Sequence, residues 1–175
     1  DDLSKVYGNA DPSLTYQVTA GNLVGTDALS GALTRAAGEN VGSYTIDASA
    51  LANGNYLITA TDGTLTIGQR AITISADDLN KVYGNSDPSL TYQVTAGSVI
   101  LGDSLGTLTR ATGENVGTYT INASSLANGN YLITANNGTL TIGQRAITVT
   151  ADDLSKLFGN ADPSLTYQVN AGSLI

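Results

Sequence analysis

Cysteine, histidine, methionine and tryptophan are all missing from this chain of 175 residues, and phenylalanine occurs once. Without cysteine there is no disulfide to staple a small fold, no thiol nucleophile and no thiolate metal site. Without histidine the side chain best suited to proton transfer near neutral pH is gone, together with the commonest metal ligand. Cations are scarce: seven Lys plus Arg stand singly at 5, 35, 70, 81, 110, 145 and 156, against fifteen acids and a net charge of −8. No basic patch exists to neutralise phosphates, so nucleic acid and anionic membranes are poor partners. No apolar run approaches the roughly 20 residues that span a bilayer as a helix, and no signal-peptide pattern opens the chain. Asp1 falls inside a motif, so the sequence reads as a window on a longer protein.

What is present is repetition, which has to be settled before any element is assigned. Residues 5–18, Lys-Val-Tyr-Gly-Asn-Ala-Asp-Pro-Ser-Leu-Thr-Tyr-Gln-Val, return at 81–94 with one change and again at 156–169. A period of 75–76 residues makes the chain an array of small domains, each near the lower size limit for folding on one core. Two phases of the unit are open. In one, 1–69 is a first repeat short of its first strand, 70–144 is complete and 145–175 begins a third. In the other, the units are 1–76, 77–151 and 152–175. Variation between copies concentrates in 22–32, where a one-residue deletion marks a surface loop.

The periodicity is that of strands. Leu14, Tyr16, Val18 and Ala20 alternate with Thr15, Gln17 and Thr19; Tyr44 and Ile46, Tyr56 and Ile58, Leu65 and Ile67, and Ile72 and Ile74 repeat the pattern. Period-two alternation rich in Thr, Tyr and Ile predicts half-buried strands. Only 47–52 has helical character, with room for about one turn. Asp62-Gly63 and Asn137-Gly138 separate alternating runs and predict two-residue hairpins with Gly63 and Gly138 at positive φ. Gly38–Gly42 and its copy at 113–117 predict a second hairpin loop. Gly68-Gln69-Arg70 leaves three residues between strands, too few for a flexible tether, which predicts a stiff, rod-like array adding about 30–40 Å per unit. If 70–76 opens the second repeat, 146–150 is an orphan strand that could complete the first repeat of another copy by strand donation.

Candidate sites are few. The pairs Asp1-Asp2, Asp77-Asp78 and Asp152-Asp153, with Asp11, Asp87 and Asp162 nearby, raise calcium at domain junctions, with Asp77, Asp78 and Asp87 the ligands in the second repeat. The acids lack the alternating spacing of a calcium loop, which favours turn and capping roles; no metal or cofactor is expected. Tyr7, Tyr83 and Phe158 share one position, and loss of the hydroxyl at the third favours packing over stacking on sugar rings. Tyr44 and Tyr119 follow a hairpin loop as corner tyrosines that bond backbone. Pro12, Pro88 and Pro163 fix the turn before each strand. Lys5, Lys81 and Lys156, with several Asn nearby, raise a Lys–Asn isopeptide link, weighed against a solvated lysine beside aspartates. In the variable loop Leu23, Val24, Val99, Ile100 and Leu101 are the candidate contact surface, if exposed. No nucleophile–base pair or phosphate loop is present, so an enzyme is not expected.

Taken in order, Lys-Val-Tyr-Gly-Asn-x-Asp-Pro-Ser-Leu-Thr-Tyr, Leu-Thr-Arg-Ala-x-Gly-Glu-Asn-Val-Gly-x-Tyr-Thr-Ile, Asn-Tyr-Leu-Ile-Thr and Gly-Thr-Leu-Thr-Ile resemble the MBG domain of the Tyr-Gly-x type. The resemblance covers two copies and the start of a third, with Phe158 the one departure in the opening motif's aromatic. It implies a tandem module of large bacterial surface proteins and biofilm adhesins, a β-grasp-like fold, and association with mucin or glycan adhesion. The residues themselves fit a reduced β-grasp or a small sandwich equally well. The expected function is a structural repeat in the stalk of a secreted or surface-anchored bacterial adhesin. The alternatives are a glycan- or mucin-binding module, or an extracellular fibre that associates with like chains.

Overall fold

The computed structural model describes residues 1–174, and within them the protein is built from thirteen strands and no α-helix. The first repeat forms a four-stranded mixed sheet in the order β1 (Leu3–Val6), β4 (Gly63–Gly68), β3 (Gly42–Asp47), β2 (Thr34–Arg35). β1 runs parallel to β4 with Leu3 opposite Leu65 and Lys5 opposite Ile67. β3 lies antiparallel to β4 with Tyr44 opposite Leu65, and β2 closes the far edge with Arg35 opposite Ile46. Period-two alternation sets the burial: Ile46, Leu65 and Ile67 are at most 1% exposed, while Thr45 and Thr66 between them face water.

The second repeat reproduces that sheet with β6 (Leu79–Val82), β11 (Gly138–Gly143), β9 (Gly117–Asn122) and β8 (Thr109–Arg110). Its registers are the same, with Leu140 opposite both Leu79 and Tyr119. A further three-stranded sheet places β5 (Arg70–Ala76) between β10 (Tyr131–Asn136) and β7 (Tyr92–Ala96). β5 is the most buried of the three, with Ile72 at 3% and Ile74 at 0% exposure. In the third repeat β12 (Thr148–Ala151) pairs antiparallel with β13 (Tyr167–Ala171), and every residue of both is exposed.

Two compact units divide the chain. One gathers Asp1–Ile74, Val94–Thr107 and Ser125–Ala135; the other gathers Ser75–Gln93, Leu108–Ser124 and Asn136–Ile175.

Three local expectations are corrected. Asp62-Gly63 and Asn137-Gly138 are not hairpin turns: β10 and β11 belong to different sheets, and neither glycine has positive φ. Glycine is required there by close approach, since a Cβ on Gly138 would stand 2.6 Å from the Asp77 carbonyl oxygen and one on Gly63 would strike that of Asp1. The preceding side chain does the turning. Asp62 accepts the Ala48 amide at 3.0 Å, and Asn137 accepts that of Ala123 at 3.0 Å. The stretch 47–52 is a turn rather than a helix, with the Asp47 carboxylate taking the Ser49 amide at 2.7 Å. Finally, 13–20 and 56–60 are not strands in the first repeat, although their counterparts β7 and β10 are strands in the second. The difference is the central strand: β5 supplies hydrogen bonds to both neighbours, and no strand runs between the first-repeat segments among the described residues.

Candidate functional site

Four charges close over one face of each four-stranded sheet. Lys5 projects from edge strand β1 and Arg35 from the opposite edge, β2. Asp11, in the turn before Pro12, and Glu39, in the β2–β3 loop, stand between them. Lys5 Nζ donates to Asp11 Oδ1 at 2.6 Å and to Glu39 Oε2 at 2.5 Å, while Arg35 Nε donates to Asp11 Oδ2 at 2.5 Å and its Nη2 to Glu39. Each carboxylate therefore bridges both cations. Lys81, Asp87, Arg110 and Glu114 repeat the clasp in the second repeat. In the third, Lys156 pairs with Asp162 in the open, 47% exposed against 4% for the side chain of Lys5.

The clasp is electrostatically self-consistent. Arg35 and then Lys5 hold the Asp11 carboxyl below its ordinary range, and Lys5 and then Arg35 do the same to Glu39. The bonds to Asp11 and Glu39 raise Lys5. Lys81, Asp87 and Glu114 shift in the same directions. Lys5 also donates to the Asn9 backbone oxygen at 3.1 Å. These lysines are therefore neither solvated nor aimed at an asparagine side chain: the clasp is a structural cross-brace.

The arginine organises the adjoining corner as well. Arg35 Nη1 donates to the Ala36 and Gly38 carbonyls at 2.8 and 2.7 Å, and its guanidinium lies 5.6 Å from the Tyr44 ring centre. Tyr44 donates to the Asn40 carbonyl at 2.7 Å, and Tyr119 to that of Asn115 at 2.8 Å. Gly38 and Gly113 lie under these rings at φ 141° and 140°, where any Cβ would strike the tyrosine.

The acids singled out for calcium do not converge, and no cluster of three such ligands exists among the described residues. Asp87 faces Lys81 and Arg110, Asp77 accepts from Thr91 Oγ1 at 2.6 Å, and Asp78 is exposed. Pro12 and Pro88 are half-buried in their turns and Pro163 is exposed. Tyr7 is buried, Tyr83 half-buried, and Phe158 fully exposed.

The variable loop is tethered. In the first repeat Tyr56 donates its hydroxyl to Asp27 at 2.7 Å and accepts the Val24 amide at 2.8 Å. In the second, Tyr131 donates to Asp103 at 2.5 Å and accepts the Ile100 amide at 2.8 Å. Asp103 takes a further bond from Tyr7 at 2.9 Å, and the Tyr7 and Tyr131 rings meet edge-on at 5.5 Å. Of the predicted contact residues, Leu101 and Val24 are 102% and 72% exposed, whereas Leu23, Val99 and Ile100 are half-buried. Asp27 and Asp103 were overlooked in the sequence, although within the variable segment only this Asp and Leu29/Leu105 are kept in place.

The connection between β4 and β5 is held on both sides. Arg70 donates from Nε to the Tyr7 carbonyl at 2.9 Å and from Nη2 to Asn9 Oδ1 at 2.8 Å, while its backbone amide bonds the Asn130 carbonyl at 3.0 Å. Gln69 donates to the Gly129 carbonyl at 3.1 Å, and Asn130 Oδ1 accepts the Val41 amide at 3.0 Å. Arg145 makes the same bonds to Tyr83 and Asn85, at 2.9 and 2.7 Å.

A groove of about 620 Å³ lies in the first repeat, between 16–23 and 56–63. Leu29, Leu33, Ile46 and Leu51 form its floor. Leu29 and Leu51 are half-buried here, whereas Leu105 and Leu126, which occupy the same positions in the second repeat, are 1% and 4% exposed.

Residues 1–66 and 72–141 each match the family model of the MBG domain (YGX type). No curated protein and no solved structure matches the chain.

Proposed function

The chain belongs to the MBG domain (YGX type) family, and from that premise we propose that it is a non-catalytic structural repeat in the stalk of a bacterial surface adhesin. Its work is mechanical: it transmits load and sets, by copy number, how far a distal binding region is carried. The observation that carries this reading is the bracing of Gln69 and Arg70, whose bonds to Tyr7, Asn9, Gly129 and Asn130 leave the connecting residues without slack. The clasps at Lys5 and Lys81, which tie opposite sheet edges, suit a module that must resist shear. A surface of Thr, Ser and Asn with a net charge of −8 suits an extracellular polymer that avoids indiscriminate contact. Pulling the chain from its two ends in a force microscope tests the reading. Discrete unfolding peaks are expected; smooth extension at low force would contradict a load-bearing role.

A glycan- or mucin-binding role is the second reading, favoured by the exposed Leu101 and Val24 in the variable loop. Saturable binding on a glycan array that Leu101→Ser and Val24→Ser abolish would establish it in place of the stalk.

A further inference from the structure

We propose that Asn137 of the second repeat is a modification site, the acceptor of an N-linked sugar delivered from a diphosphate-linked donor. The proposal rests on the surface-protein reading for its setting, and it assigns one side chain a role that reading does not contain.

Of the chain's asparagines, only Asn122 and Asn137 are followed two residues on by Ser or Thr, as Asn-Ala-Ser and Asn-Gly-Thr. That spacing is the acceptor pattern for N-glycosylation. Both lie in the second repeat. The first repeat keeps the following residues, with Asp47-Ala-Ser49 and Asp62-Gly-Thr64, but has a carboxylate at each acceptor position.

The fold does not need the amide nitrogen of Asn137. Its Oδ1 accepts the Ala123 amide at 3.0 Å, and Asp62 accepts the Ala48 amide at the same distance in the first repeat. A carboxylate therefore turns this corner as well as an amide does. The amide of Asn137 adds Nδ2, which makes no bond among the described residues, in a side chain that is exposed. The bond at Oδ1 pins one end of the carboxamide and leaves the reactive end toward water.

The residues that follow suit the same purpose. Asn137 stands directly before β11, and side chains two apart along an extended backbone share a face. Gly138 is buried, and a Cβ there would stand 2.6 Å from the Asp77 carbonyl oxygen, so the intervening residue turns inward. Thr139 returns to the face of Asn137, and its hydroxyl has no partner among the described residues. Thr120 lies opposite Thr139 and Thr118 opposite Thr141, so a sugar on Asn137 would lie over a face of hydroxyls that hydrogen-bond its own. Asn122 is placed less openly. It is half-buried at the end of β9, and its Oδ1 already holds both the amide and the hydroxyl of Ser124, at 2.9 and 2.7 Å.

In the transfer Nδ2 attacks the anomeric carbon, the bond from that carbon to the donor's phosphate oxygen breaks, and the diphosphate leaves with the electron pair. Nδ2 gives up one proton as the new N–C bond forms. The catalyst is an asparagine-directed glycosyltransferase, and the donor is either a sugar nucleoside diphosphate or a polyprenyl-diphosphate sugar.

Peptide mapping of the protein isolated from its own cells tests this. Trypsin releases 111–145 with both asparagines and 36–70 with the matching aspartates, so each digest carries its own control. Fragmentation is expected to place a sugar on Asn137 and none on 36–70. A single hexose identifies the nucleotide donor, and a preassembled oligosaccharide identifies the lipid-linked one. Asn137→Asp is expected to abolish the modification and leave the circular dichroism unchanged, since Asp62 already fills that role. Thr139→Val is expected to abolish it too, and Thr139→Ser to retain it. An unmodified Asn137, a sugar on Asn122 alone, or modification that survives Thr139→Val would overturn the proposal. None of these results bears on the stalk reading, which the force measurement decides.

Discussion

Arg110 and Tyr119 show how a few side chains settle a corner. The guanidinium stacks on the ring at 5.7 Å and bonds two loop carbonyls, and the hydroxyl bonds a third. Gly113 lies under the ring at φ 140°, so Gly113→Ala both strains the backbone and drives a methyl into Tyr119. It should cost about 2–4 kcal/mol in urea unfolding, against about 0.5–1.5 kcal/mol for Tyr119→Phe, which loses one hydrogen bond and keeps the packing. The clasp gives a second test at this scale. Asp11, Glu39, Asp87 and Glu114 have folded pKa values below their ordinary 3.8 and 4.5. Their contribution is complete above those ordinary values and is lost as pH falls through the lower folded ones. Thermal melts should therefore hold steady from about pH 5 to 9 and fall in acid. The acid loss should be smaller in Lys81→Met, where the partner that depresses Glu114 most is gone. At the alkaline end Lys5 and Lys81 are raised from 10.5, so their share persists until pH passes that raised value.

At the scale of the element, burial separates strands that hold the fold from segments that decorate it. Leu140 sits at 0% exposure between Leu79 and Tyr119 in β11, whereas Leu57 is 101% exposed. Leu140→Ala should cost about 2–5 kcal/mol in chemical denaturation, and Leu57→Ala should stay within about 0.5 kcal/mol of the parent. The sequence made the strands of the four-stranded sheets legible, because Tyr44/Ile46 and Leu65/Ile67 alternate cleanly with Ser and Thr. It did not reveal partners. Asp62-Gly63 carries the local signature of a hairpin, yet the glycine serves a close approach to Asp1 and the aspartate caps Ala48. The clasp was hidden for the same reason: Lys5, Asp11, Arg35 and Glu39 meet only after two sheet edges have formed, and their spacing along the chain announces nothing.

For the whole molecule, the pentapeptide Tyr-Gln-Val-Thr-Ala is the sharpest lesson. It is strand β7 at 92–96 and irregular at 16–20, with the same residues in the same order. What differs is a central strand that belongs, along the chain, next to the preceding repeat. We propose that the repeat unit runs from 70 to 144 and opens on β5. Amide hydrogen exchange on the dilute chain reads this out directly. The account predicts slow exchange at 92–96 and 131–135 and fast exchange at 16–20 and 56–60. Equal protection of the two identical pentapeptides in dilute solution would contradict it.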